Sequence, residues 1–228
     1  NGKVIVVVAG GTRGDRPSLG GATARRLAAE GARVVVADLD LVAAQRTVDE
    51  IRAADGIAVA HRCDAAEEAS VIALMDMAVE TYGGIDGVHS NAMDMSAATL
   101  GVDSEHDLTT LPLDVWNRTL QVGLTGFFLV ARTAIPHLIA RGGGGIVGTA
   151  SGAMYAGEPV RVAYATAKAG MGAVVRHIAS AHGRQGIRAN AVAPGMVLGD
   201  GPLTGMSPEQ TERMLMFGRS DRPGTPDD

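Results

Sequence analysis

Apolar residues gather along this chain in short β-branched runs, separated by stretches with one apolar face. Residues 3–9 (KVIVVVA) form an unbroken run of the kind a strand buried on both faces requires. Further runs of this type predict strands at 32–37, 57–62, 85–90, 145–150 and 187–193. Helical spacing predicts helices at 18–30, 40–54, 66–82, 112–140 and 161–184. Strict alternation of the two types predicts an α/β fold, a doubly wound parallel sheet with helices on both faces. The glycines at 142–145 make a turn that no helix would tolerate. No repeat or linker divides the chain, so residues 1–228 read as a single domain. From 197 to 222 the pattern loosens and Gly, Pro and Met gather, with a short amphipathic helix expected at 208–216. A long irregular segment of this kind acts as a lid beside a site.

Composition narrows the class. Aromatics are only 3% of residues, so the core must be built from Ala, Val, Leu, Ile and Met. A net charge of −5 gives no support for nucleic-acid binding. The single cysteine, Cys63, cannot form an internal disulfide, which suits a reducing compartment. No run is read as approaching the roughly 18 apolar residues of a membrane span, and no basic, apolar leader opens the sequence. The expectation is a cytoplasmic protein acting on a small molecule, with no membrane or nucleic-acid partner. The histidines show no ligand spacing, and no metal site is expected.

The chemistry is concentrated in Tyr164-Ala-Thr-Ala-Lys168. Residues i and i+4 share one helix face, so an ammonium stands beside a phenol. A free phenol, with a pKa of about 10, is a poor base at neutral pH, and a fixed cation nearby favours the phenolate. Such a pair suits proton transfer to or from an alcohol or carbonyl oxygen. Ser151 lies just past the fifth strand, where ligands bind in such sheets. At the start of the chain, a strand, a Gly10-Gly11-Thr12 turn, a helix and a second strand ending in Asp38 form a dinucleotide-binding unit. Backbone N–H groups at the helix start can hold a pyrophosphate, and the acid can take ribose hydroxyls.

Together these residues resemble the short-chain dehydrogenase/reductase family, from Lys3 to Asp228. Cys63-Asp64 after the third strand, Ser90-Asn91-Ala92-Met93 after the fourth and Asn190 to Gly195 after the sixth extend the likeness. The resemblance implies a Rossmann-like sheet and hydride transfer between a nicotinamide and a carbinol or carbonyl carbon. It implies Tyr164 as general acid/base. Lys168 would assist Tyr164 and bond the nicotinamide ribose, and Ser151 would bond the substrate oxygen. Gly10, Thr12, Ser18 and Leu19 would cradle the phosphates, while Asp38 and Leu39 would take the adenosine ribose. Asp64 and Ala65 would flank the adenine, Asn91 and Ala92 would support the strand end, and Pro194, Gly195 and Val197 would line the nicotinamide. Asp38 argues for NAD, with NADP less favoured. Arg13 and Arg16 are the counter-argument, since either could reach a 2′-phosphate.

The chain departs from the family pattern in places. The glycine turn is enlarged, and Ser18 takes the place of the middle glycine. Gly123 stands where an asparagine usually completes the proton relay, Met93 replaces a glycine, and Ala9 replaces a threonine. The family's last helix and strand are not reached by residue 228. These departures leave a second reading open, a non-catalytic dinucleotide-binding or scaffold protein on the same fold. Methionines in 93–97, 152–159 and 196–217 suggest an apolar secondary alcohol or ketone as substrate. Small residues in the helices at 112–140 and 161–184 (Ala163, Ala167, Gly170, Gly172, Ala173) allow close helix approach, and the resemblance implies a homo-tetramer or homo-dimer built through them.

Overall fold

The computed structural model describes residues 2–14, 18–199 and 222–228, together with Ser207, Glu209 and Glu212. Arg16, most of the 197–222 lid and all of the expected helix at 208–216 except Glu209 and Glu212 lie outside the described residues.

The elements follow in order: β1 (Val4–Val8), α1 (Leu19–Ala29), β2 (Arg33–Asp38), α2 (Leu41–Ala53), β3 (Ile57–Arg62), α3 (Glu68–Tyr82), β4 (Gly87–Ser90), α4 (Leu113–Leu120), α5 (Gly126–Ala140), β5 (Gly144–Thr149), α6 (Val162–His182) and β6 (Ile187–Val192). The six strands form one parallel sheet in the order β3-β2-β1-β4-β5-β6. Strand order reverses between β1 and β4, which opens a crevice at their carboxyl ends. Side chains alternate across the sheet. Val6, Val8, Val35 and Ile146 pack with Leu74 of α3, Phe127 of α5 and Met171 of α6. Val7, Val34 and Val36 pack with Ala24 of α1 and Val48 of α2 on the other face. The two layers are the aliphatic core expected from the scarcity of aromatics, with Phe127 as an aromatic exception.

Helix 112–140 is not one regular element. A π-helical turn at Gln121–Thr125 separates α4 from α5 and contains Gly123. One extra residue per turn is accommodated there, and such turns are frequent at functional sites. A second π-helical turn, Ala97–Gly101, and a 3₁₀ turn, Gly152–Met154, were not legible as periodic patterns. The expectation that no run approaches a membrane span is also corrected. The helical run Leu113–Ala140 is long and apolar enough to cross one. Its apolarity has another use, since Phe127, Val130, Ala134 and Leu138 are buried against the sheet.

Three of the small residues expected to serve an oligomer interface are instead used inside the fold. Ala163 and Ala167 are fully buried, and a Cβ on Gly172 would meet Met154 Cε at 2.5 Å.

Candidate active site

The crevice between β1 and β4 continues into a cavity of about 720 Å3, within the ~300–1,000 Å3 of ligand sites. One end is built by the first turn of α1. Ser18 caps that helix, accepting from Gly21 N at 2.8 Å and donating its hydroxyl to Gly11 O at 2.8 Å. A glycine is obligatory at 20, because a Cβ there would lie 2.0 Å from Ala9 O. That close approach brings the positive start of α1 against the end of β1, a cradle for phosphate. Ser18 and Leu19 line the cavity, whereas Gly10 and Thr12 lie beneath it. The Thr12 hydroxyl is buried beside Thr47 Oγ1 at 3.3 Å, so its side chain braces α2 rather than facing a ligand.

Asp38 ends β2 with only 2% of its surface exposed. Its Oδ2 accepts from Gly11 N at 3.0 Å, and its Oδ1 from Asp40 N at 3.1 Å and Arg13 Nη2 at 2.5 Å. Sequence reasoning weighed Arg13 as a reader of phosphate. The structure seats its guanidinium on Asp38, over the carboxylate that a ribose would use. Leu39, Asp64, Ala65, Asn91 and Ala92 continue the lining. Asp64 also closes its own turn by accepting from Ala66 N at 2.9 Å, and Asn91 Nδ2 donates to Ala9 O at 3.4 Å.

The other end carries Ser151, Tyr164 and Lys168, with Pro194, Gly195 and Val197 alongside. Helix α6 presents Tyr164 and Lys168 one turn apart, with the Lys168 Nζ 5.7 Å from the Tyr164 ring centre. Lys168 Nζ donates to Thr149 O at 2.6 Å. Burial pushes the Lys168 ammonium down to about 8, because desolvation disfavours the charged form. Ser151 sits past β5, and its Oγ accepts from Ala153 N at 3.2 Å. Arg161 lies 5.8 Å from the Tyr164 ring centre, on the opposite side of the chain from Lys168 in sequence.

Two features of this end had no signal in local sequence. Met93 fills the space beside Gly123, where a Cβ would lie 2.6 Å from Met93 Cε. His89 on β4 bonds Thr149 Oγ1 through Nε2 at 2.8 Å, while its Nδ1 is buried without a partner. Burial, assisted by the Lys168 charge, pushes His89 down to about 4, so the ring is neutral. Both depend on residues brought together from distant elements.

A family model described as enoyl-(acyl carrier protein) reductase matches residues 14–220. The chain belongs to the short-chain dehydrogenase/reductase family. It is 35% identical over 198 residues to cyclohexanol dehydrogenase of Acinetobacter sp. (strain SE19), covering 86% of this chain and 74% of that protein. It is equally 35% identical over 198 residues to 2,5-dichloro-2,5-cyclohexadiene-1,4-diol dehydrogenase of Sphingobium indicum, covering 86% and 73%. Among solved structures, a 7α-hydroxysteroid dehydrogenase complexed with NADH and 7-oxo glycochenodeoxycholic acid superposes with a TM-score of 0.88 at 30% identity, covering 99% of this chain and 83% of that one. The chain is an oxidoreductase with the Rossmann-like fold of this family, whose dehydrogenases bind a nicotinamide dinucleotide. The capped start of α1, the Gly20 contact and the volume of the cavity fit such a group.

Proposed function

We propose that the protein transfers a hydride between NAD(H) and an apolar secondary alcohol or ketone, with Tyr164 as general acid/base. The observation that carries this reading is a single cavity bordered at one end by the α1 cradle and Asp38 and at the other by Ser151, Tyr164 and Lys168. When bound, the dinucleotide supplies the hydride acceptor or donor. Ser18, Leu19 and the N–H groups of the first turn of α1 would hold its phosphates. Asp38 would hold the adenosine ribose, and Asn91, Pro194, Gly195 and Val197 the nicotinamide half.

In oxidation, the phenol oxygen of Tyr164 takes the hydroxyl proton of the substrate. In reduction it returns a proton to the carbonyl oxygen. Lys168 stabilises the negative charge that gathers on Tyr164 during transfer and would bond the nicotinamide ribose. Ser151 donates to the substrate oxygen and steadies charge developing there. With Gly123 offering no side chain, protons must reach Lys168 through water or backbone groups alone.

NAD is favoured because Asp38 would repel a 2′-phosphate and because Arg13, the cation nearest that position in the described chain, is engaged by Asp38. The substrate side is lined by Met93, Met95 and Val122, which suits an alicyclic or similarly apolar alcohol. The cyclic alcohols named for the two relatives point the same way. Met154, expected at the substrate, packs instead against Gly172, and Met206, Met214, Met216 and Phe217 lie outside the described residues. A reducing cytoplasm suits the lone Cys63, whose thiol burial pushes up to about 11.

The test is calorimetric titration with NADH and with NADPH, followed by a panel of alicyclic, steroid and polyol alcohols. Micromolar NADH binding, weaker NADPH binding and oxidation of alicyclic alcohols are expected. Tyr164→Phe should lower kcat about 10²–10⁴-fold, the usual contribution of general acid–base catalysis. Turnover restricted to polyols, or unchanged in Tyr164→Phe, would overturn the reading.

A further inference from the structure

The first turn of α6 carries Tyr164, yet the residue before the helix does nothing to cap it. Arg161 stands there in the left-handed region at φ 63°, and its side chain carries only donors, so it cannot accept from the helix N–H groups. The opening N–H groups of a buried helix must still find acceptors. They find them far away in sequence. Asp103, in the segment between β4 and α4, is fully buried. Its Oδ2 accepts from Tyr164 N at 2.8 Å and its Oδ1 from Ala163 N at 3.2 Å. Its backbone O accepts from Arg161 N at 2.8 Å, so one residue holds positions 161, 163 and 164 at the head of the helix. Among the described residues no cation pairs with Asp103. The helix N–H groups and the positive end of the helix dipole balance its charge.

The chain just before Asp103 runs along the mouth of the cavity. Met93, Asp94, Met95 and Ser96 line it, and the π-helical turn Ala97–Gly101 follows them. Asp103 therefore joins the substrate side of the cavity to the backbone amide of Tyr164.

We propose that Asp103 is a positioning residue for Tyr164, fixing the first turn of α6 so that the phenol meets the substrate oxygen. The carboxylate locks where the Tyr164 backbone sits, while the ring centre lies 5.8 Å from the Arg161 guanidinium and 5.7 Å from Lys168 Nζ. Loop and phenol then move as one unit, so a substrate that shifts the 93–103 segment also shifts Tyr164. This inference rests on the reading of Tyr164 as the acid/base.

The test is Asp103→Asn, which keeps one oxygen acceptor and turns an amide group toward the other N–H; Asp103→Glu is the second variant if the first does not fold. Three quantities are measured: amide exchange along α6, NADH affinity, and steady-state oxidation of the best alcohol from the panel above. Exchange at Ala163 and Tyr164 should rise about tenfold, with β5 and α5 unchanged, as for loss of one charge-assisted bond. NADH affinity should stay within about threefold, since Asp103 lies off the cofactor end of the cavity. Loss of alignment should lower kcat about 10–100-fold with KM for the alcohol little changed, the scale of a small misplacement of a catalytic group. Wild-type exchange at the two amides, or an unchanged kcat in a variant whose exchange has risen, would overturn the proposal alone. No alcohol oxidation by the wild type would remove the reading of Tyr164 and this inference with it.

Discussion

Lys168 faces two demands that pull against each other. In the proposed reaction it must be charged to support Tyr164, yet it is almost wholly buried, and burial pushes its ammonium down to about 8 from the ordinary lysine value of 10.5. Activity that needs the cation is therefore expected to fall as pH rises through about 8, a limb visible in a pH profile of kcat. Stability moves the other way. Between about 8 and 10.5 the unfolded chain holds more protons at this position than the folded one, so its contribution to stability rises with pH across that window. Denaturant midpoints of wild type and Lys168→Met across those pH values will separate the two effects. Arg13 is a second residue whose role depends on its partner. Removing it in Arg13→Gln uncovers Asp38, and the ratio of NADPH to NADH dissociation constants should grow about tenfold or more, equivalent to ~1.4 kcal/mol. Equal weakening of both cofactors would show that Arg13 serves the shared phosphates instead. The sequence carried Tyr164, Lys168, Ser151 and Asp38 into one cavity because each sits at a fixed offset from a strand end or along one helix. It could not show that Arg13 would settle on Asp38, since a loop side chain chooses its partner only in three dimensions.

Among the elements, α1 and α6 begin in opposite ways. Helix α1 is capped locally by Ser18, a residue type and position that sequence reveals. Ser18→Ala should cost about 1 kcal/mol, the typical worth of such a cap, read as a lowered denaturant midpoint. Gly20→Ala is expected to be far worse, because the new methyl would be driven into Ala9 O in the backbone of the preceding turn. Failure to accumulate folded protein is the expected result, and a near-native melting temperature would show that α1 can shift away from β1. Helix α6 is capped from Asp103, across a sequence separation that no local pattern encodes. The π-helical turn in 112–140 was hidden for a related reason. Apolar spacing stays nearly continuous across it, and Gly123 was its one visible mark.

For the whole molecule, alternation of strand and helix was enough to predict the parallel sheet, and the strand limits agree to within a few residues. Strand β4 begins two residues later than the pattern suggested, because Asp86 turns its carboxylate to Val4 N and to Lys3 instead of continuing the strand. Assembly is the level where the expectation changes its basis. Several of the small residues of α6 are consumed internally, which leaves Ala173 exposed and Gly170 half-buried among those named, so a homo-oligomer has other surface to draw on as well. Leu113 on α4 is 70% exposed and Phe128 on α5 is 44% exposed beneath Arg132. Apolar side chains displayed on adjoining helices suit a dimer or tetramer interface. Light scattering at micromolar concentration should give a multiple of the 23.3 kDa chain mass, and a Phe128→Glu variant should reduce it. A monomeric wild type would remove this expectation.

The contact between Met93 and Gly123 bears on how this site can change over generations. A methyl at 123 asks only that the Met93 thioether swing aside, since the clashing atoms are the far end of a flexible side chain. A branched or amide side chain there would need the volume Met93 occupies, with Ala167 Cβ close behind at 3.3 Å from the first carbon. Shortening Met93 first would widen the cavity it lines, and placing a branched side chain at 123 first would meet the thioether. The size of each side chain therefore limits which replacements are open to the other.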